Sequence, residues 1–373
     1  MDWNERAELS CTVTAPDDDD PAGATTSHAP LAVRSRPGRL AVAVVGTGRV
    51  GAVLGAALAA AGHRVVAGVG VSRASVERAE ALLPGVPLVH GHEAVALADL
   101  VLLTVPDDEL AALARGLALT GAWRPGQLVV HTSGRFGLGV LQPAADSGAV
   151  PLALHPVMTF TGTSMDINRL SGCVFGVTAP AAFVPIADAL VLEMGGEPMH
   201  VRDDARVLYH AALAHASNHL MALVTSSSEL LLAAGVEEPA RVLEPLLSAA
   251  LDNALRVGDR SLTGPVARGD VETVASHLVA LDAVSPGAGL AYRAMARVTV
   301  ERAQSAGLLR PDRAAAVSAV LVDPASETDP DRSPETDSET GNGQRESGES
   351  GRTDAADSPD GPGPDGLGSG TDP

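Results

Sequence analysis

The chain has 373 residues with 45% apolar side chains, 2% aromatics and a formal charge of −20, so its core must be built from Ala, Val and Leu. Residues 323–373 hold 14 acidic residues against three arginines, which leaves the remainder only mildly acidic and argues against nucleic acid or an anionic membrane as the main partner. Two cysteines, Cys11 and Cys173, exclude a disulfide framework, and the complete lack of lysine excludes Schiff-base chemistry and a lysine general acid.

Residues 1–38 are rich in Asp, Ala, Pro, Ser and Thr without periodicity and read as a disordered leader, with no basic start and apolar core of a signal peptide. From residue 39 to 202, Val/Leu-rich runs alternate with Ala-rich helical stretches. The runs are Leu40–Val45, Arg64–Val71, Leu100–Val105, Gln127–His131, Val150–His155 and Cys173–Val177. Near-continuous apolar strands separated by helices predict an α/β Rossmann domain with a mostly parallel, doubly wound sheet.

From 203 to 322 the strands stop. A helix longer than thirty residues is expected from Asp203 to Ala234, followed by helices at Leu243–Val257, Asp270–Leu281 and Leu290–Ala306. This all-α domain is expected to complete a substrate cleft. Residues 323–373 read as a disordered acidic tail. No apolar run is clean enough to span a bilayer, so the expected setting is the reducing cytoplasm.

The strongest motif is Gly46-Thr47-Gly48-Arg49-Val50-Gly51, which follows the first strand and opens an apolar helix. In this context the glycines give a tight turn, let a pyrophosphate approach the backbone and allow close helix–strand packing, with the helix N-terminus facing the phosphates. The second strand ends Gly70-Val71-Ser72-Arg73, without the acid that would bind the ribose hydroxyls of NAD. Ser72 and Arg73 suit a ribose phosphate instead, so NADP (NADPH) is the expected cofactor. Val105 and Pro106, where the strand Leu100–Val105 ends, are expected beside the nicotinamide half.

The strand Gln127–Val130 runs into His131, Thr132, Ser133 and Gly134, at the carboxyl end of the sheet where a substrate would lie. His155 ends another strand and is the first candidate proton carrier, with His131 and His210 as rivals. In the long helix, His210 and Ser217 share a face, and Asn218 beside them is placed to hold a substrate carbonyl or carboxylate. Arg268 is a candidate for an anionic substrate. His215 and His219 stand four apart but lack a third ligand, so no metal is expected.

These pieces, from Gly46–Gly51 through Val105-Pro106-Asp107, His131–Gly134, His155-Pro156, Tyr209-His210, Ser217-Asn218, Asp252-Asn253 and Leu262–Asp270, resemble a bacterial two-domain family. Its members join a Rossmann-like domain to a helical domain of unknown function, and are labelled deazaflavin-dependent NADP oxidoreductase-like or likened to pyrroline-5-carboxylate reductase. The resemblance implies a second domain of the 6-phosphogluconate dehydrogenase type that forms a homodimer. Related dehydrogenases use a lysine acid on the long helix, which this chain lacks. The expectation is an NADP-dependent oxidoreductase for a small polar, anionic substrate. The alternatives are an NADP-binding regulatory protein without turnover and an NADP:deazaflavin oxidoreductase.

Overall fold

The computed structural model describes residues 38–322. The expected leader and tail, and Cys11, lie outside the described residues. Two units divide between Ser227 and Ser228. The division lies inside the helix that spans Arg206–Ala233.

The first unit runs β1 (Ala41–Val45), α1 (Arg49–Ala60), β2 (Arg64–Val69), α2 (Arg73–Leu82), α3 (Gly91–Leu97), β3 (Leu100–Leu103) and α4 (Asp107–Leu119). It continues through β4 (Leu128–His131), α5 (Gln142–Ala145), β5 (Val150–Pro156), α6 (Ser164–Arg169), β6 (Val174–Thr178), α7 (Val184–Glu193) and β7 (Glu197–His200). The seven strands form one sheet in the order β2-β1-β3-β4-β5-β6-β7. The first five are parallel, β6 runs antiparallel to β5, and β7 returns parallel to β6. A third strand of the Rossmann pattern is reduced to a single bridge, Gly68 to Leu88, at the outer edge of β2.

Alternation along the strands sends Val42, Val44, Leu100, Leu102 and Val130 into one apolar cluster and Ala43, Val45, Val101, Leu103 and Val129 into another. Both faces of the sheet are therefore covered by helices, which is why these runs read as continuously apolar. Trp123 is buried in the second cluster, and its indole N–H donates to the Ala114 carbonyl of α4.

The β1–α1 turn is made by Gly46 at φ +99°, a conformation that side chains other than glycine rarely adopt. The amides of Gly46 and Thr47 both donate to the Val69 carbonyl at 3.0 Å, which locks the loop to the end of β2. Gly51 packs so close that a methyl there would collide with the Gly46 carbonyl and the Thr104 hydroxyl. The Thr104 hydroxyl donates to that same carbonyl at 2.6 Å, tying the loop to the end of β3.

α8 (Arg206–Ala233) starts in the first unit after a short 3-10 turn at Asp203–Ala205, and Arg206 is its one buried residue. The second unit adds α9 (Pro239–Val257), α10 (Gly264–Arg268), α11 (Val271–Val284), α12 (Pro286–Ser305) and α13 (Pro311–Val320). Its core gathers Val266, Val274, Leu278, Ala296, Val300 and Val317, and a bidentate Arg293–Asp282 pair at 2.8 and 2.6 Å fastens α12 to α11. The sequence reading missed β7, α10 and α13. β7 is a short, mostly exposed strand, and α10 and α13 lie in segments too brief to show a helical period. Among the described residues, no helix is long and apolar enough to cross a membrane.

Candidate functional site

At the carboxyl ends of β1, β2 and β3 lies a cavity of about 670 Å³, lined by Gly46–Gly48, Val69–Ser72, Ser75 and Thr104–Pro106. The volume falls in the range of small-molecule and cofactor sites. Gly48 is the N-cap of α1, with no side chain capping the helix and open space where a Cβ would project. The first-turn amides of α1, from Arg49 and Val50, thus offer an uncapped positive helix end over a backbone that a phosphate can approach. These residues fit the pyrophosphate of a dinucleotide.

At the far end of the cavity Ser72 caps α2, its hydroxyl accepting from the Ser75 amide at 3.2 Å. Arg73 is 93% exposed and pairs with Glu77 at 2.7 Å. A pair so exposed contributes little stability and yields readily to a stronger anion. Among the described residues no acid lines the β2 end of the cavity; Asp108 and Glu109 belong to the opposite wall, on α4. Arg49 is exposed at the start of α1, while Val105 and Pro106 line the wall from β3.

The second group of side chains gathers where β4, β5, β6 and the start of α8 meet. Arg206 is wholly buried. Its Nε donates to the Thr178 hydroxyl at 2.9 Å, and its terminal nitrogens donate to the carbonyls of Ser133, Ala153 and Gly176 at 2.9, 3.0 and 2.7 Å. One helical turn later, the Tyr209 hydroxyl meets His155 Nδ1 at 2.9 Å. It lies so tightly over Gly176 that a methyl there would overlap the phenol. His210 packs edge-on against His155, with ring centres 5.9 Å apart. Gly134 fits between them, since a methyl on it would stand 2.6 Å from His210 Cδ2 and 3.0 Å from His155 Nε2.

Burial acts on the histidines and the tyrosine of this group in opposite directions. His131 is fully buried, and burial followed by the nearby Arg206 charge lowers its pKa to about 3. Its Nδ1 accepts from the Ser133 amide at 3.2 Å, and its Nε2 is left to donate to the Gly137 carbonyl at 3.1 Å. Both ring nitrogens are spent on the loop, which they anchor. His155 falls to about 4, from burial first, then Arg206 and His210, with Asp107 acting in the opposite sense. At neutral pH it is an uncharged imidazole, unable to supply a proton as an imidazolium. Tyr209 goes the other way: burial pushes its phenol up, partly opposed by Arg206, so it stays protonated.

The remaining sequence candidates divide. Ser133 is buried, its hydroxyl accepting from the Phe136 amide at 3.3 Å and its carbonyl from Arg206, which makes it part of the loop framework. Thr132 is half-buried beside it. Ser217 and Asn218 are exposed on α8, two turns beyond Tyr209. Arg268 is exposed at the end of α10, in the other unit. His215 and His219 hydrogen-bond to each other at 2.9 Å, and among the described residues no group of three or more His, Cys, Asp or Glu is arranged to hold a metal. Sequence reasoning missed Tyr209 and Arg206 as site residues. The available signal was slight: one of two tyrosines in the chain, next to His210 and three residues after an arginine at a helix start.

Residues 25–156 match the model of a Rossmann-like domain, and residues 173–299 match DUF2520, a domain of unknown function. No curated protein matches the chain. Among solved structures it is similar to a protein from Bacteroides fragilis described as an NADP oxidoreductase, with TM-score 0.58 and 20% identity over 70% of this chain and 98% of that one. It is also similar to an imine reductase from Pseudomonas sp., with TM-score 0.53 and 21% identity over 76% and 99% of the two chains. A reductive aminase from Aspergillus terreus, in complex with NADPH and ethyl levulinate, gives TM-score 0.55 and 17% identity over 76% and 99%. At these identities the likeness shows the fold.

The two depressed histidines make stability depend on pH. Each binds a proton in the unfolded chain below about 6.5 and refuses it in the folded one until about 4 or 3, so the unfolded state carries more protons in between. Stability should therefore fall as pH drops from 6.5 toward 4, each histidine adding a slope that approaches about 1.4 kcal/mol per pH unit. Urea unfolding across that range checks this, and His155→Gln should remove its share of the slope. An unchanged slope in that variant would place the effect elsewhere.

Proposed function

From a chain that joins a Rossmann-like domain to a DUF2520 domain, we propose an NADP-dependent oxidoreductase acting on a small polar, anionic substrate. The observation that carries it is the pairing of an uncapped, glycine-lined phosphate cradle with a half-buried, hydrogen-bonded phenol and imidazole at the same end of the parallel strands. The names of the three similar structures agree with the reading.

In this reading the α1 amides hold the pyrophosphate, while Ser72 and Arg73 take the ribose phosphate, Arg73 exchanging Glu77 for it. The bound nicotinamide supplies or accepts the hydride. Tyr209 holds the proton that must accompany it and donates this proton to the substrate heteroatom on which negative charge develops. His155, uncharged, turns Nδ1–H toward the phenol oxygen, orients it, and with the Arg206 charge stabilises the phenolate left behind. His210 closes the far side of His155. The phenol thus takes the role that a lysine cannot fill in this chain. The same reading includes a homodimer, since α9 exposes Leu246, Leu251 and Leu255, and α8 separately exposes Leu208 and Met221.

Thermal unfolding with NADP, NADPH, NAD and NADH tests the cofactor. The phosphorylated pair alone should stabilise, by about 2.7 kcal/mol at a hundredfold excess over Kd, and Arg73→Ala should erase the preference. No shift with any of the four would end the reading. Tyr209→Phe should leave NADPH affinity intact and slow single-turnover NADPH oxidation by ketone or imine acceptors about 10²–10⁴-fold. A variant as fast as the wild type would exclude the phenol as donor, and tight NADPH binding with no hydride transfer to any acceptor would indicate a sensor of the NADP pool. Light scattering should give twice the 37.7 kDa chain mass, and a monomer that stays monodisperse at high concentration would refute the dimer.

A further inference from the structure

The loop that carries Gly134 presents one cation that the framework does not consume. Arg135 follows Gly134, the residue wedged between His155 and His210. Its Nε pairs with Asp107 Oδ2 at 3.2 Å, and Asp107 directly follows Pro106, which lines the cofactor cavity. Arg135 therefore joins the two loops that border the cavity on one side and the Tyr209–His155 pair on the other.

An arginine carries five N–H donors, and among the described residues Arg135 commits only Nε, leaving the fork of its two terminal nitrogens without a hydrogen-bond acceptor. The guanidinium lies 4.1 Å over the Phe136 ring, which fixes its plane and reduces the conformational freedom lost on binding. Arg206, the other arginine of this region, is consumed by four protein acceptors. The Arg135–Asp107 pair is about half exposed on the arginine side, at 48%, and solvent screening leaves pairs of this kind weak. Displacing Asp107, or adding a second carboxylate beside it, costs little.

We infer that Arg135 is the carboxylate receptor of the substrate site, taking a small carboxylic acid on its terminal fork while Asp107 holds the guanidinium in place. A planar fork matches a carboxylate bidentately and has no such match for an uncharged amide. The substrate class is then a small acid whose reducible carbon lies within a few bonds of its carboxylate, close enough to reach Tyr209. This rests on the proposed function and replaces Arg268 as the anion-binding residue.

The test uses the full chain loaded with NADPH and three probes: pyruvate, oxamate and the uncharged pyruvamide, read by thermal unfolding and by NADPH fluorescence. The expected result is stabilisation by at least one of the two carboxylates and none by pyruvamide. Arg135→Gln should weaken that carboxylate tenfold or more with NADPH affinity unchanged. Arg135→Lys, which keeps the charge but loses the fork, should fall between, and Asp107→Asn should bind the carboxylate several-fold more tightly. Because the Arg135 side chain is exposed, unliganded melting temperatures of its variants should match the wild type and report that the fold is intact. The proposal is overturned if neither carboxylate binds, if pyruvamide binds equally, or if Arg135→Gln binds the carboxylate as well as the wild type. It is also overturned if Arg135→Gln loses NADPH, which would assign the fork to a cofactor phosphate. Failure of the unmodified chain to bind NADPH at all would instead remove the parent reading.

Discussion

A guanidinium with no solvent exposure, hydrogen-bonded to uncharged acceptors, is the constraint around which this end of the molecule is arranged. Burying a charge is costly unless hydrogen bonds replace its hydration, and Arg206 finds them in three carbonyls and a hydroxyl from the β4 loop, β5 and β6. Burial draws its proton affinity down, yet an arginine starts so high that it remains charged. The same bonds clamp the first turn of α8 onto the sheet. Tyr209 and His210 owe their place to that clamp, being three and four residues further along the same helix.

The charge has a second effect. It lowers the proton affinity of both His131 and His155 and opposes the upward push of burial on Tyr209. Burial, the larger cause, and this charge together keep two imidazoles neutral, while burial leaves a protonated phenol as the acidic group of the cluster. Asp203 adds a further tie from the turn before α8, accepting from the Leu138 amide at 2.6 Å. The loop 131–138 is consequently held at its start by His131, in its middle by Arg206 through Ser133, and at its end by Asp203. Loops carry function best when a rigid scaffold positions them, and this one is fixed at three points.

The glycine-rich loop was legible in the sequence because it is local. Gly46, Gly48 and Gly51 stand within one turn of chain, flanked by an apolar strand and an apolar helix, and each signal concerns neighbours in sequence. Six of the seven strands announced themselves through apolar runs for the same reason. The chemical half was legible only in part. His155 and His210 could be singled out as candidates by strand and helix position, but the protonation of His155 depends on burial and on a charge that arrives from residue 206. Tyr209 reaches His155 across 54 positions, and Arg135 reaches Asp107 across 28. Such pairings are set by the sheet order, which periodicity does not encode. The long helix was expected whole, yet its exposed apolar length, with Arg206 alone buried, could be seen only once the chain was folded.

The placing of Trp123 has a practical consequence. Of the two tryptophans, Trp3 lies outside the described residues, and Trp123 is sealed between α4 and the sheet, with its indole nitrogen satisfied. The second unit contains none. With Trp3 replaced by phenylalanine, intrinsic emission becomes a private optical gauge of the sheet-bearing unit, while far-ultraviolet dichroism is weighted toward the helices of both. Two instruments that track together would show the units melting as one body. Two that separate would show how much each can stand without the other.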